Sequence, residues 1–159
     1  LGSRGLGDVY KRQQDTSKCT DTQRRKTGGG RKMNEIELKS LAKINLGLDV
    51  LGRRENGYHD VRMVMQSIYL HDEVKIEKKR REGIEIVSNL RFLPIGEGNI
   101  AYKAAHMLIE EFSLEGGVRI TLNKHIPVAA GLAGGSSNAA AVLFGMNRFL
   151  LESLAKLKA

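Results

Sequence analysis

The residues best suited to chemistry in this 159-residue chain lie in one stretch, Pro127-Val-Ala-Ala-Gly-Leu-Ala-Gly-Gly-Ser-Ser-Asn138. Its glycines fall at 131, 134 and 135, and the hydroxyls of Ser136 and Ser137 follow directly. Small residues let a backbone come close to an oxyanion, and serine hydroxyls add donors at the same place. The segments on either side sharpen this. Before it, Gly117 to Ile126 alternates, with Val118, Ile120, Leu122 and Ile126 on one face, which predicts a strand. After it, Ala139 to Asn147 is apolar and rich in helix formers, which predicts a buried helix. A helix N-terminus carries unsatisfied amides and the positive end of the helix dipole, so strand, glycine loop and helix together make an anion site. The chemistry favoured is phosphate binding.

Two better-known glycine loops are excluded. No lysine follows the glycines, so the G-x-x-x-x-G-K-[ST] spacing is absent, and the glycine positions do not fit G-x-G-x-x-G. The plainer alternative is a tight turn in which Ser or Asn serves as the helix N-cap.

The elements that must position this loop can be read from the periodicity. Asn34 to Leu51 alternates, with Ile36, Leu38, Ala42, Ile44, Leu46, Leu48 and Val50 of one parity and a break near Ser40-Leu41, which predicts two strands or a bend. Lys43 and Asn45 have the opposite parity and point to the same side of the sheet. On its own such a pair is most simply a solvated face. Gly52 to His59 is a loop with an Asn-Gly turn signal at 56–57. Val61–Tyr69 and Glu73–Lys78 read as strands joined through Leu70-His-Asp72; Lys78–Glu82 is a charged hairpin tip, and Ile84–Val87 is a short strand. From Asn99 to Phe112, Ile100, Ala104, Met107, Leu108 and Ile109 give an amphipathic helix with Asn99 as N-cap. Four or five mostly antiparallel strands and two helices make an α+β two-layer domain.

Composition bounds the rest. The length suits one domain with a core, built from aliphatics since there is no Trp. No run is long enough to span a membrane as a helix. One cysteine, Cys19, forms no intramolecular disulfide and suits a reducing cytoplasm; the histidines at 59, 71, 106 and 125 lack metal-ligand spacing. The net charge of +8 is concentrated in residues 1–32, which carry nine Lys/Arg against three Asp/Glu, a net of +6. Those residues lack apolar periodicity and are expected to be a disordered basic tail with Met33 as the authentic start. Binding of a specific nucleic acid is not expected; the tail would give only salt-sensitive, nonspecific attraction.

Three motifs in order carry a resemblance: Ala42-Lys-Ile-Asn-Leu46, Gly57-Tyr-His-Asp60 and the glycine loop. The loop resembles the ATP signature of the GHMP small-molecule kinases, named for galactose, homoserine, mevalonate and phosphomevalonate. The first two resemble the branch that acts on a cytidyl methylerythritol in non-mevalonate isoprenoid biosynthesis. The match covers about Met33 to Asn147. It implies the GHMP kinase N-terminal fold, ATP with Mg²⁺, and phosphorylation of a tertiary hydroxyl on that small-molecule substrate. Residue by residue, it implies that Pro127, Val128, Ala129, Ala130, Gly131, Leu132, Ala133, Gly134, Gly135, Ser136 and Ser137 wrap the triphosphate. Lys43 would be the catalytic lysine, Asn45 would orient the substrate, Tyr58 and His59 would hold the cytosine, and Asn99 would lie near the adenine.

The chain also departs from the family pattern. It holds no Gly-Ala-Asp-Val-Pro segment, which in the family carries the catalytic aspartate, and residues 148–159 are expected to leave the pattern as an aberrant or truncated end. The expectation is therefore a family kinase fragment inactive, or nearly so, by itself. The alternatives are a nucleotide-binding module without turnover and a GHMP kinase for another small alcohol.

Overall fold

The computed structural model describes residues 34–157, with side chains as far as Leu151; the expectations for residues 1–32 and for the last two residues lie outside the described part. Two long strands, β1 (Glu35–Arg53) and β2 (His59–Lys79), form an antiparallel hairpin. Then follow β3 (Gly83–Ser88), α1 (Ile100–Glu111), β4 (Gly117–Asn123) and α2 (Gly134–Leu157). The sheet order is β1-β2-β4-β3, with β4 antiparallel to β2 and parallel to β3. This is the expected α+β domain, with three differences in detail.

First, β3 follows β2 closely in sequence but does not pair with it. Strand β4 inserts between them, so the Lys78–Glu82 segment joins strands that are not neighbours. Alternation in β3 shows a strand but carries no information about its partner. Second, β1 takes the bent form of the two expected, with irregularities between Leu41 and Lys43, Asn45 and Gly47, and Val50 and Gly52, and it runs on through Gly52 and Arg53, which read as loop. Third, β2 is continuous. Its ladder skips at Ile68–Leu70, since Leu41 pairs with His71 and Lys43 with Ser67, so the break predicted at 70–72 lies slightly earlier.

Both helices pack on one face of the sheet. Val74, Ile76, Ile86, Val118, Ile120 and Leu122 project from the strands, and Ala139, Val142, Met146 and Phe149 from α2. Full burial of each such aliphatic side chain is worth about 1.5–3 kcal/mol. Helix α1 buries Ala101, Ala104 and Ala105, while Ile100 and Met107 face outward. The three alanines let α1 approach closely; Ala104, Leu108 and Ile109 meet the core as expected, while Ile100 and Met107 do not. The opposite face of the sheet is charged. Lys75 pairs with Glu35 at 3.1 Å and Glu77 at 3.5 Å, and Arg119 pairs with Glu85 at 3.0 Å.

The hairpin outruns its helical cover. Beyond Asn45, Leu46, Leu48, Val50, Val64 and Met65 are 51–63% exposed along the arm.

Close packing of α2 on the sheet depends on Gly145. Together with Val142, Met146 and Phe149 it makes an i, i+3, i+4, i+7 stripe, and a Cβ there would meet Ile76 Cδ1 at 2.4 Å and Ile36 Cγ2 at 3.1 Å. Gly145→Ala should therefore lower stability by about 1–3 kcal/mol in urea unfolding. Ile76→Val removes the opposing methyl, so the double variant should lose less than the sum of the two single changes. Additive losses would show that the two side chains do not compete for this space.

Candidate functional site

Strand β4 hands the chain to the glycine loop, and the loop hands it to α2. The first helical hydrogen bond runs from the Ser137 N–H to the Ala133 carbonyl at 2.9 Å. The helix thus starts at Gly134, five residues before the predicted stretch, and the Ser or Asn N-cap alternative does not hold. Ser136 and Ser137 lie within its first turn. The amides of Gly134, Gly135 and Ser136 precede that first bond and are the orphan donors of a helix start.

The loop has a second source of donors. Ala129 (φ 59°), Gly131 (φ 72°) and Ala133 (φ 60°) are left-handed and alternate with residues that are not. Such alternation turns successive N–H groups toward one concavity, a backbone nest suited to an anion. For alanine this conformation costs about 1–2 kcal/mol per residue, so two strained alanines here point toward function rather than toward a relaxed turn. Periodicity could not reveal it, because alanine gives no sign of positive φ.

β1 reaches this loop directly. The Lys43 N–H donates to the Leu132 carbonyl at 3.1 Å, which brings the first motif against the third. The Lys43 ammonium donates to Asn45 Oδ1 at 3.1 Å, so these two side chains share a side as their spacing requires. Asn99 is the N-cap of α1: its Oδ1 accepts from the Ala101 N–H at 2.9 Å and its Nδ2 donates to the Pro94 carbonyl at 2.8 Å. With Ile100, Lys124 and loop residues it also lines a cavity of about 280 Å³ beside the glycine loop. Its capping bonds account for its burial without any ligand.

Tyr58 and His59 are not brought to this place. They sit at the turn of the hairpin, where Gly57 (φ 86°) fulfils the Asn-Gly turn signal and the Arg54 guanidinium pairs with Asp60. Tyr58 is 74% exposed. His59 stands eight positions before Ser67, the cross-strand partner of Lys43, which amounts to about 26 Å along a strand.

A buried polar cluster lies under the loop. Asp72 is fully buried, and its Oδ1 accepts from the amides of His125 at 2.7 Å and Ile126 at 2.8 Å. Its Oδ2 accepts from Asn138 Nδ2 at 2.9 Å and from the Lys124 ammonium. Asn138 Nδ2 also reaches Ser40 Oγ at 2.9 Å, while its Oδ1 accepts from Lys124 at 2.8 Å. Burial alone would raise the Asp72 carboxyl. The Lys124 ammonium, the two amides and Asn138 outweigh that and hold it below its ordinary value. Sequence reasoning overlooked these residues, although a signal was present. Ser40 and Asp72 are cross-strand partners at core parity, two polar residues among Ile36, Leu38, Val74 and Ile76.

Known proteins share this fold. The GHMP kinases N terminal domain profile matches residues 99–158. The chain is 58% identical over 116 residues to the 4-diphosphocytidyl-2-C-methyl-D-erythritol kinase of Lachnospira eligens, covering 73% of this chain and 40% of that protein. To the protein of the same name from Acetivibrio thermocellus it is 60% identical over 115 residues, covering 72% and 40%. The chain spans about two-fifths of the length of these relatives. Among solved structures, a 4-(cytidine 5'-diphospho)-2C-methyl-D-erythritol kinase superposes with a TM-score of 0.60 at 42% identity, covering 69% of this chain and 38% of that one. A homoserine kinase from Cytophaga hutchinsonii superposes at 0.58 and 18% identity, over 79% and 38%, which shows the shared fold.

The cluster makes stability depend on acid. Asp72 has a lower pKa folded than unfolded, so its contribution is complete above the ordinary carboxylate value, 3.8 here, and is lost as pH falls through the lower folded value. The urea midpoint should therefore drop below about pH 4. Asp72→Asn strands the Lys124 charge and should cost on the order of 3 kcal/mol at pH 7, with a flatter acid limb. Parallel pH curves for the two proteins would contradict this.

Proposed function

We propose, for a chain that belongs to the GHMP kinase family through its N-terminal domain, that the glycine loop holds the triphosphate of ATP. We further propose that the whole protein phosphorylates 4-diphosphocytidyl-2-C-methyl-D-erythritol on its tertiary hydroxyl. The observation that carries this is the joining of Lys43 to the loop through the Leu132 carbonyl. It ties the strand that carries the lysine to the loop, so that an ammonium turned toward the loop would supply what phosphoryl transfer needs: positioning plus stabilisation of charge.

The roles follow from the residues. Amides from Ala130 to Ser136 and the hydroxyls of Ser136 and Ser137 receive phosphate oxygens. The loop's alternating left-handed residues and its orphan amides fit a polyanion. Mg²⁺ would accompany the triphosphate and screen its charge. Lys43 stabilises the transferring group, and Asn45, hydrogen-bonded to it, orients the acceptor alcohol. Asn99 keeps its cap and lines the wall of the cavity where the adenine would lie.

Tyr58 and His59 suit a pyrimidine, one ring stacking and the other hydrogen-bonding. Their place at the hairpin turn means that cytosine binds far along the arm or that the arm curls toward Lys43 when substrate is present. The reaction belongs to isoprenoid precursor biosynthesis in the cytoplasm, where a single cysteine is at home.

A second reading is a nucleotide-binding module without turnover. It rests on one observation: among the described residues the Lys43 ammonium has Asn45 as partner, with no carboxylate paired to it to take the alcohol proton.

A chimera separates these readings. Residues 33–147 would replace the matching segment of the Acetivibrio thermocellus relative, and ATP-dependent phosphorylation of the cytidyl substrate would be assayed. The chimera should turn over, and Lys43→Ala should reduce kcat by about 10²-fold or more. The 159-residue chain alone should give no measurable turnover. A folded chimera that is inactive, or that prefers another alcohol, would contradict the substrate assignment.

A further inference from the structure

Three buried polar side chains meet beneath the glycine loop, and the roles above leave them without a task. Asp72 comes from β2, in the interior of the sheet. Lys124 follows the last residue of β4, and Asn138 lies one turn into α2. Asp72 is 0% exposed, Asn138 2% and Lys124 7%.

One carboxylate reaches both ends of the loop. Its Oδ1 holds the amides of His125 and Ile126, where the chain enters. Its Oδ2 holds Asn138, where the chain leaves, and Lys124, which bridges to Asn138 in turn. The eleven residues from 127 to 137 therefore hang between two points fixed to one rigid group.

Two further features tie the cluster to the loop rather than to general core stability. Buried ion pairs gain little net stability over apolar packing of the same volume, so this one needs another reason. The Lys124 ammonium also lies 3.1 Å from where a Cβ on residue 134 would stand, directly under the opening of α2. It has three N–H donors, and among the described residues two protein acceptors take them.

We propose that Asp72, Lys124 and Asn138 are positioning residues, a clamp that holds the glycine loop in its anion-binding shape before nucleotide arrives. The inference rests on the reading of the loop as a triphosphate site. A loop already closed at both ends loses little freedom on binding, so affinity for the phosphates is gained by preorganisation. It also accounts for the two left-handed alanines, since unfavourable backbone persists only where its surroundings over-determine it.

The test uses the full chain. Asn138→Ala removes one arm and leaves the Asp72–Lys124 pair and both amide bonds to Asp72. Hydrogen exchange is followed at amides 128–136, and ATP and adenosine are titrated by calorimetry. Loop exchange should accelerate about tenfold with β4 unchanged, and ATP affinity should fall about tenfold with adenosine affinity unchanged. Should this variant not fold, the charge-neutral double variant Asp72→Asn with Lys124→Met should show the same loop-confined acceleration. Unchanged loop exchange, or acceleration spread across the sheet, overturns the proposal. So does equal weakening of ATP and adenosine, which marks general loss of structure. If the unaltered chain fails to bind ATP, the triphosphate reading falls, while the exchange measurements still decide whether the clamp orders the loop.

Discussion

A carboxylate without water must find donors, and the way Asp72 finds them organises this molecule. Its two oxygens take four donors from three places in the chain: the exit of β4, Lys124 and the first turns of α2. An unpaired carboxylate in that position would cost far more than most single interactions contribute. The cost is avoided only when β2, β4 and α2 stand in one arrangement. That arrangement sets the start of α2, with its orphan amides, directly after the alternating left-handed residues of the loop.

The rest of the architecture supports this junction. The helices cover the half of the sheet that carries Asp72, with alanines on α1 and Gly145 on α2 letting them approach. β1 passes close enough for its backbone to hydrogen-bond the loop at Lys43. The uncovered half of the hairpin carries the apolar side chains and the Tyr58–His59 pair. A helix-covered half that reaches the glycine loop and an exposed apolar arm thus coexist on one pair of strands.

Much of this was legible from residues alone. Alternation showed the strands, and Asn99 read correctly as a cap. Lys43 and Asn45 share a side because strand periodicity is two. Four facts escaped the sequence reading. The insertion of β4 between β2 and β3 is a matter of pairing, which alternation does not encode. Positive φ at Ala129 and Ala133 is imposed by the surroundings rather than by side-chain type. Asp72 belonged to a segment read as a link between strands, so its core parity with Val74 and Ile76 passed unnoticed. The distance between Lys43 and His59 escaped because spacing along a hairpin depends on where the turn falls and whether the arm stays straight.

The central claim is that the glycine loop receives a triphosphate through its backbone. The most direct measurement is an amide NMR titration of the 159-residue chain with Mg²⁺-ATP and, separately, with adenosine. The account expects ATP to move the amide signals of residues 130–136 strongly while adenosine leaves them in place. Movement confined to the basic residues before Met33, or equal movement with both ligands, would contradict it.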